Sequence, residues 1–233
     1  MALSTPATLV LFDVDGTLVL TGGAGVRAMN RAFEELYGVA DAFAGVPMAG
    51  RTDQAIVLDA FARLGRAVDG NWLPAFRERY CARLAEEIER PAPGKRLMPG
   101  VREALEALQR RAGLSLGLLT GNFADGADIK LAHFDVARYF AWGAYGDDAA
   151  DRNALVPVAL ARAAQLGVKP ISSRHVFVVG DTPADVACAQ AAGVRAIAVA
   201  TGPYDTEALA ASGAYAVLAD LSDTGAFLRV ITR

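Results

Sequence analysis

Two aspartates stand two residues apart, Asp13 and Asp15, directly after the apolar run Leu9 to Phe12 and before Gly16 and Thr17. Side chains two apart in an extended segment point the same way, so this pair should converge on one small volume. Adjacent carboxylates repel, and they persist in a fold when a cation lies between them or when one stays protonated. A small hydroxyl is delivered in the same manner by Leu118-Leu119-Thr120-Gly121-Asn122, where Thr120 and the first amides of a following helix could hold phosphate oxygens. A third apolar run ends in Gly180-Asp181-Thr182-Pro183-Ala184-Asp185, with a second acid four residues after the first. Taken singly, each stretch has a plainer reading: aspartates favour turns, and Thr120 or Asp181 could simply cap a helix. Together, at three successive strand ends, they point to one site at the carboxyl edge of a parallel sheet.

The elements that must position these residues follow from the periodicity of the rest. Leu9 to Phe12 reads as a buried strand. Val26, Met29, Ala32, Phe33 and Leu36 recur at helical spacing until Gly38, a second helix runs from about Asp53 to Leu64, and a third from about Leu73 to Arg90. Thr21 to Gly25 and Pro91 to Gly94 bracket these helices as hinge segments. From Val101 onward, helix and strand alternate: strand Leu114 to Leu119, helix from about Ala127, short strand near Phe140 to Ala144, helix Val156 to Gln165, strand Val176 to Val179, helix Pro183 to Ala192, strand Ala196 to Ala200, helix Thr206 to Ala211, strand Ala214 to Leu218 and a last helix near Phe227. The expected architecture is α/β: a Rossmann-like, doubly wound parallel sheet from residues 1–20 and 96–233, with an all-helical cap at 21–95.

The 233 residues are 53% hydrophobic, ample for a sizeable core, and the net charge of −3 gives no basis for expecting a nucleic-acid partner. Three lysines occur, Lys95, Lys130 and Lys169, so arginine carries almost all the positive charge. Cys81 and Cys188 lack metal-ligand spacing and read as buried apolar residues. The start of the chain lacks a basic leader, and no apolar run reaches the roughly 18 residues of a membrane span, so a cytoplasmic protein, monomer or homodimer, is expected.

Asp13-Val14-Asp15-Gly16-Thr17-Leu18 resembles the first motif of the haloacid dehalogenase superfamily, specifically of its phosphoglycolate phosphatase-like members with a helical cap. The stretches at Thr120 and at Asp181 are similar to its second and last motifs. The resemblance implies a magnesium-dependent hydrolase acting on a small phosphorylated metabolite, a phosphomonoester of phosphoglycolate or sugar-phosphate type. Asp13 would be the nucleophile and Asp15 the acid/base, partly protonated beside another buried carboxylate. Asp13, the Asp15 carbonyl, Asp181 and, less directly, Asp185 would hold Mg2+. Thr120 would grip phosphate, Thr17, Gly121 and Asn122 would lie on the substrate side, and Arg51 in the cap could read the leaving group. One position departs from the pattern. Where similar proteins carry a lysine at the start of the helix ending at Leu166-Gly167, this chain has Asp151-Arg152-Asn153. Arg152 is expected to take that place ahead of Lys130, which should rise roughly 9 Å along its own helix, although its stem leans back toward the helix start. Asp15 argues against a dehalogenase and the absence of lysine from residues 26–90 against a phosphonate hydrolase, while a phosphomutase or a catalytically silent binding protein stays open.

Overall fold

The computed structural model describes residues 5–68 and 70–232; the extreme amino-terminal segment lies outside them. Its centre is strand β1 (Thr5–Phe12). Leu9, Val10, Leu11 and Phe12 are all fully buried, because a parallel sheet covered on both faces leaves neither set of alternating side chains in water. The even-numbered Val10 and Phe12 pack on one face and the odd-numbered Leu9 and Leu11 on the other. Each such side chain contributes about 1.5–3 kcal/mol.

In chain order, β2 (Val19–Leu20) precedes helices α1 (Ala24–Tyr37), α2 (Asp53–Arg63) and α3 (Trp72–Glu87), and β3 (Arg96–Leu97) follows them. Next come α4 (Val101–Gln109), β4 (Leu114–Leu119), α5 (Ala124–His133), β5 (Gly143–Ala144) and α6 (Leu155–Gln165). The chain closes with β6 (Val168–Pro170), β7 (Val176–Gly180), α7 (Pro183–Ala191), β8 (Arg195–Val199), α8 (Thr206–Ala211), β9 (Ala216–Leu218) and α9 (Thr224–Ile231). The sheet runs β5-β4-β1-β7-β8-β9, every pairing parallel, with β6 beside the start of β1. Helices α4, α5 and α9 cover the even face, and α6, α7 and α8 the odd face. The expected doubly wound sheet is therefore present, and β1, flanked by β4 and β7, brings the three motif-bearing strand ends side by side.

The helices α1 to α3 share a separate apolar cluster built on Phe33, Phe43, Phe61, Phe76 and Tyr80. Phe123, from the turn after β4, joins that cluster, its ring 6.0 Å from that of Tyr80. The two connections to these helices are joined: Val19 pairs with Leu97 and Leu20 with Arg96 as a short antiparallel ribbon. The hinge reading of glycines and prolines gave no hint of that pairing, because two-residue strands carry no periodic signal. Likewise β6 was not anticipated. Cys188 is buried as expected, whereas Cys81 is only half-buried. Among the described residues no helix is long and apolar enough to cross a membrane.

Candidate active site

A cavity of about 500 Å³ lies where the carboxyl ends of β1, β4, β7 and β8 face the helical insertion. Asp13, Asp15, Asn122, Lys130, Arg152 and Asp181 line its sheet side, and Leu20, Val26, Met29, Met48 and Ile56 form an apolar wall opposite.

Asp13 continues the odd-numbered side of β1 and is buried; its amide is held by the Val179 carbonyl at 2.9 Å. That side faces the 3-10 turn Arg152–Ala154 ahead of α6. Arg152 Nη2 stands 3.4 Å from Asp13 Oδ1 and donates to Asp185 Oδ1. Asp185 is fixed in turn by the Thr182 amide at 3.0 Å and the Thr182 hydroxyl at 2.7 Å, a capping box at the start of α7. Asp181 is oriented by the Thr17 hydroxyl, 3.1 Å from its Oδ1. Gly16 carries a φ of 81°, and a β-carbon there would come within 2.3 Å of Asp181 Oδ2, so both the turn and the close approach require glycine.

Carboxylate oxygens of Asp13, Asp181 and Asp185 all lie within 4.8 Å of one another. Three buried acids face one buried guanidinium, Arg152, so full ionisation would leave two negative charges unbalanced. Burial, with the repulsion of Asp13 and Asp185, pushes the Asp181 carboxyl up to about 8. Burial raises Asp13 to about 6 against the pull of Arg152. Against the burial that disfavours its charge, Asp185 and Asp13 push the Arg152 pKa further up. Clustered hard oxygen donors carrying excess charge fit a divalent cation such as Mg2+.

Asp15 departs from expectation. Its carboxylate is absent from the acidic cluster and its side chain is 45% exposed, next to a cation instead of a second buried acid. Lys130 Nζ donates to Asp15 Oδ2 at 2.6 Å, and Asn122 Nδ2 donates to the same oxygen at 2.8 Å. Lys130, which the helical rise would carry away, reaches back along its stem, so both candidate cations arrive, one at each aspartate. Thr120 is fully buried; its hydroxyl accepts from Asn122 Nδ2 at 2.8 Å, and Gly121 and Asn122 line the cavity in its stead. Thr17 likewise serves Asp181 and is not among the cavity-lining residues. Arg51 borders the cavity, yet its guanidinium is engaged by Asp59 at 3.0 Å and by the carbonyls of Pro47 and Ala55, each at 3.1 Å.

Three participants escaped the sequence reading. Asp53, read there as a helix start, joins the insertion to the core: its amide donates to the Gly121 carbonyl at 2.7 Å, and its Oδ2 accepts from the Phe123 amide at 2.9 Å. Burial raises its carboxyl to about 7, moderated by the charge of Lys130. Thr201, just past β8, donates to the Gly16 carbonyl at 2.6 Å, and a small hydroxyl at a fourth strand end was a signal of the same kind as Thr120. Tyr80 is the third.

The family model for haloacid dehalogenase-like hydrolases matches residues 10–199. A phosphoglycolate phosphatase of Rhodospirillum rubrum is 33% identical over 222 residues, covering 94% of this chain and 90% of that protein. One of Yersinia pseudotuberculosis is 29% identical over 223 residues, covering 92% and 90%. A crystal structure of a hydrolase from Pseudomonas syringae superposes with a TM-score of 0.66 at 22% identity, covering 97% of this chain and 99% of that one. With the motifs, the sheet order and the acidic cluster in agreement, the chain belongs to the haloacid dehalogenase-like hydrolase family.

Proposed function

We propose that the protein is a magnesium-dependent phosphatase that hydrolyses a small phosphomonoester through an aspartyl-phosphate on Asp13. The observation that carries this reading is the setting of the Asp13 carboxylate, at the tip of β1 between Arg152 and the acidic pair Asp181 and Asp185. The relatives named phosphoglycolate phosphatase support a phosphate ester as substrate.

In the first step an Asp13 oxygen bonds to phosphorus while the bond to the leaving oxygen breaks, and Asp15 gives that oxygen its proton. In the second, Asp15 takes a proton from water as the water oxygen bonds to phosphorus, and the Asp13 acyl phosphate bond breaks to release phosphate. Asp15 suits the exchange because its side chain opens to the cavity. Arg152 holds Asp13 in line and offsets charge gathering on the transferred oxygens. Asn122 and Lys130 fix the Asp15 carboxylate. Bound Mg2+, held by Asp13, Asp181, the Asp15 carbonyl and, at one remove, Asp185, would supply electrostatic screening between these carboxylates and an anionic substrate. The helices α1 to α3 act as the cap, excluding bulk water from the cavity.

The test is turnover of p-nitrophenyl phosphate by wild type and by Asp13→Asn, with and without Mg2+, alongside thermal melts. Wild type should turn over only with Mg2+, and the folded variant should be inert. Activity in the variant above a few per cent, or activity surviving chelation, sinks the mechanism.

A further inference from the structure

We infer that Tyr80 and Lys130 form a leaving-group subsite that takes an acceptor oxygen, a carboxylate or a hydroxyl, on the organic part of the phosphoester. The inference rests on the phosphatase reading and adds specificity residues to it. Tyr80 is fully buried on α3, and its hydroxyl has no hydrogen-bond partner among the described residues. Leaving a buried hydroxyl unpaired costs folding free energy, so its retention beside a substrate-sized cavity points to a partner that arrives with the ligand. Tyr80, Gly25 and Lys130 all line that cavity. A β-carbon built on Gly25 would lie 3.6 Å from Lys130 Nζ and 3.7 Å from Tyr80 Oη, so the two polar atoms border the same space above the first turn of α1. A lysine ammonium has three N–H donors, and Asp15 and Asn122 take two. The third N–H and the Tyr80 O–H are the unspent donors of this corner. Two donors, one of them charged, call for an acceptor. The wall at Val26 and Met29 is apolar, and Asp53, which also lines the cavity, accepts from the Phe123 amide and makes no hydrogen bond to Tyr80, so the place beside the two donors is open to a substrate oxygen. Tyr80 belongs to the insertion and Lys130 to the core, so an occupant is gripped from both sides.

Tyr80→Phe removes one oxygen and keeps the ring that stacks on Phe76 at 6.2 Å and meets Phe123 edge-on at 6.0 Å. Gly25→Ala places a methyl in the corner at ordinary contact distances, within a helix that alanine favours. The probes are three two-carbon esters: 2-phosphoglycolate with a carboxylate, 2-hydroxyethyl phosphate with a hydroxyl, and ethyl phosphate with neither. The readout is the ratio of kcat/KM for each oxygenated ester to that for ethyl phosphate. Both variants should melt no lower than wild type. In both, the ratio should fall, about tenfold for a carboxylate-bearing or about threefold for a hydroxyl-bearing preferred ester, which also tells which oxygen the corner reads. Unchanged ratios in a wild type that turns over all three esters overturn the subsite alone. A lowered melting temperature of Tyr80→Phe with unchanged ratios shows a structural hydroxyl and overturns it as well. Absence of turnover of every ester by wild type with Mg2+ overturns the phosphatase reading and the subsite with it.

Discussion

Arg152→Ala should move two measurable quantities in opposite directions. The guanidinium is buried, and its loss removes one of three hydrogen bonds to Asp185, the other two being those from Thr182. Breaking a buried ion pair from one side costs about 3–5 kcal/mol, and because Thr182 keeps Asp185 capped, the low end applies. At roughly 2–4 °C per kcal/mol for a chain of this size, the metal-free melting temperature should drop by about 6–12 °C. Asp13 loses the one cation paired with it among the described residues, and turnover should fall about 100- to 1000-fold, the usual loss for a donor aimed at developing charge. Mg2+ affinity, in contrast, should rise. Arg152 lies against the same oxygens that would hold the ion, and a single charge and a divalent one about 4 Å apart at an effective dielectric near 20 would interact by about 8 kcal/mol. Removing that repulsion should tighten binding by about tenfold or more even after relaxation. Titration calorimetry with MgCl2, done with turnover of an aryl phosphate on the same preparation, checks both. Turnover within about threefold of wild type, or weaker Mg2+ binding, would refute the placing of Arg152 between nucleophile and metal acids. Arg152→Lys should recover part of the activity, since a point charge replaces a fork that touches both Asp13 and Asp185.

The remaining two predictions concern the insertion. Burial pushes the Asp53 carboxyl from its ordinary 3.8 up to about 7, so between those values the folded chain binds a proton that the unfolded chain has lost. Its contribution is therefore greatest at low pH and is lost as pH rises through about 7, by at most about 4 kcal/mol. Asp53→Asn keeps an acceptor for the Phe123 amide without the charge, so its melting temperature relative to wild type should climb from pH 5 to pH 8, and parallel curves would contradict the buried-charge account. Arg51→Ala should lower kcat/KM for all phosphoesters alike, with little stability lost, because its ion pair with Asp59 is screened by solvent; a loss confined to one ester would return Arg51 to the leaving group.

The sheet and its motif ends were legible because burial on both faces writes long apolar runs, and because the polar Asp13, Thr120 and Asp181 stand directly at the ends of those runs. Helix bounds were readable wherever a glycine stopped the pattern, as at Gly38 after α1. What escaped reading depends on contacts far apart in sequence. Tyr80 has the spacing of a core residue of α3, and nothing local says that its hydroxyl is left unpaired. Asp53 looks like an ordinary first-turn acid, and its burial arises only when the insertion meets Gly121 and Phe123. The closeness of that meeting is fixed by glycine: a β-carbon on Gly121 would sit 2.1 Å from the Arg51 carbonyl oxygen. Asp15 was misplaced for a related reason. Two-residue alternation holds along a strand, but β1 ends at Phe12 and the chain turns at Gly16, so the parity argument that serves Asp13 no longer governs its neighbour.

That break in parity has a chemical consequence. Asp13 stays on the odd face and meets Arg152, which enters from the turn before α6; Asp15, turned toward the cavity, meets Lys130 from α5, a helix packed on the even face. Each aspartate thus has its own cation, and the two cations come from elements on opposite faces of the sheet. In the proposed mechanism Asp13 is the nucleophile and Asp15 the proton shuttle, and these make different demands: the first must stay ionised and aligned, the second must change charge twice per cycle. Had one cation served both, every protonation of Asp15 would have altered the field that aligns Asp13. With Arg152 tied to Asp13 through the buried Asp185, and Lys130 tied to Asp15 through Asn122, the shuttle can change charge while the groups that align the nucleophile stay paired. On that proposal, Arg152 takes the position at the nucleophile that similar proteins give to a lysine, and Lys130, the one buried lysine among the described residues, is left for the acid/base and for whatever oxygen enters beside Tyr80.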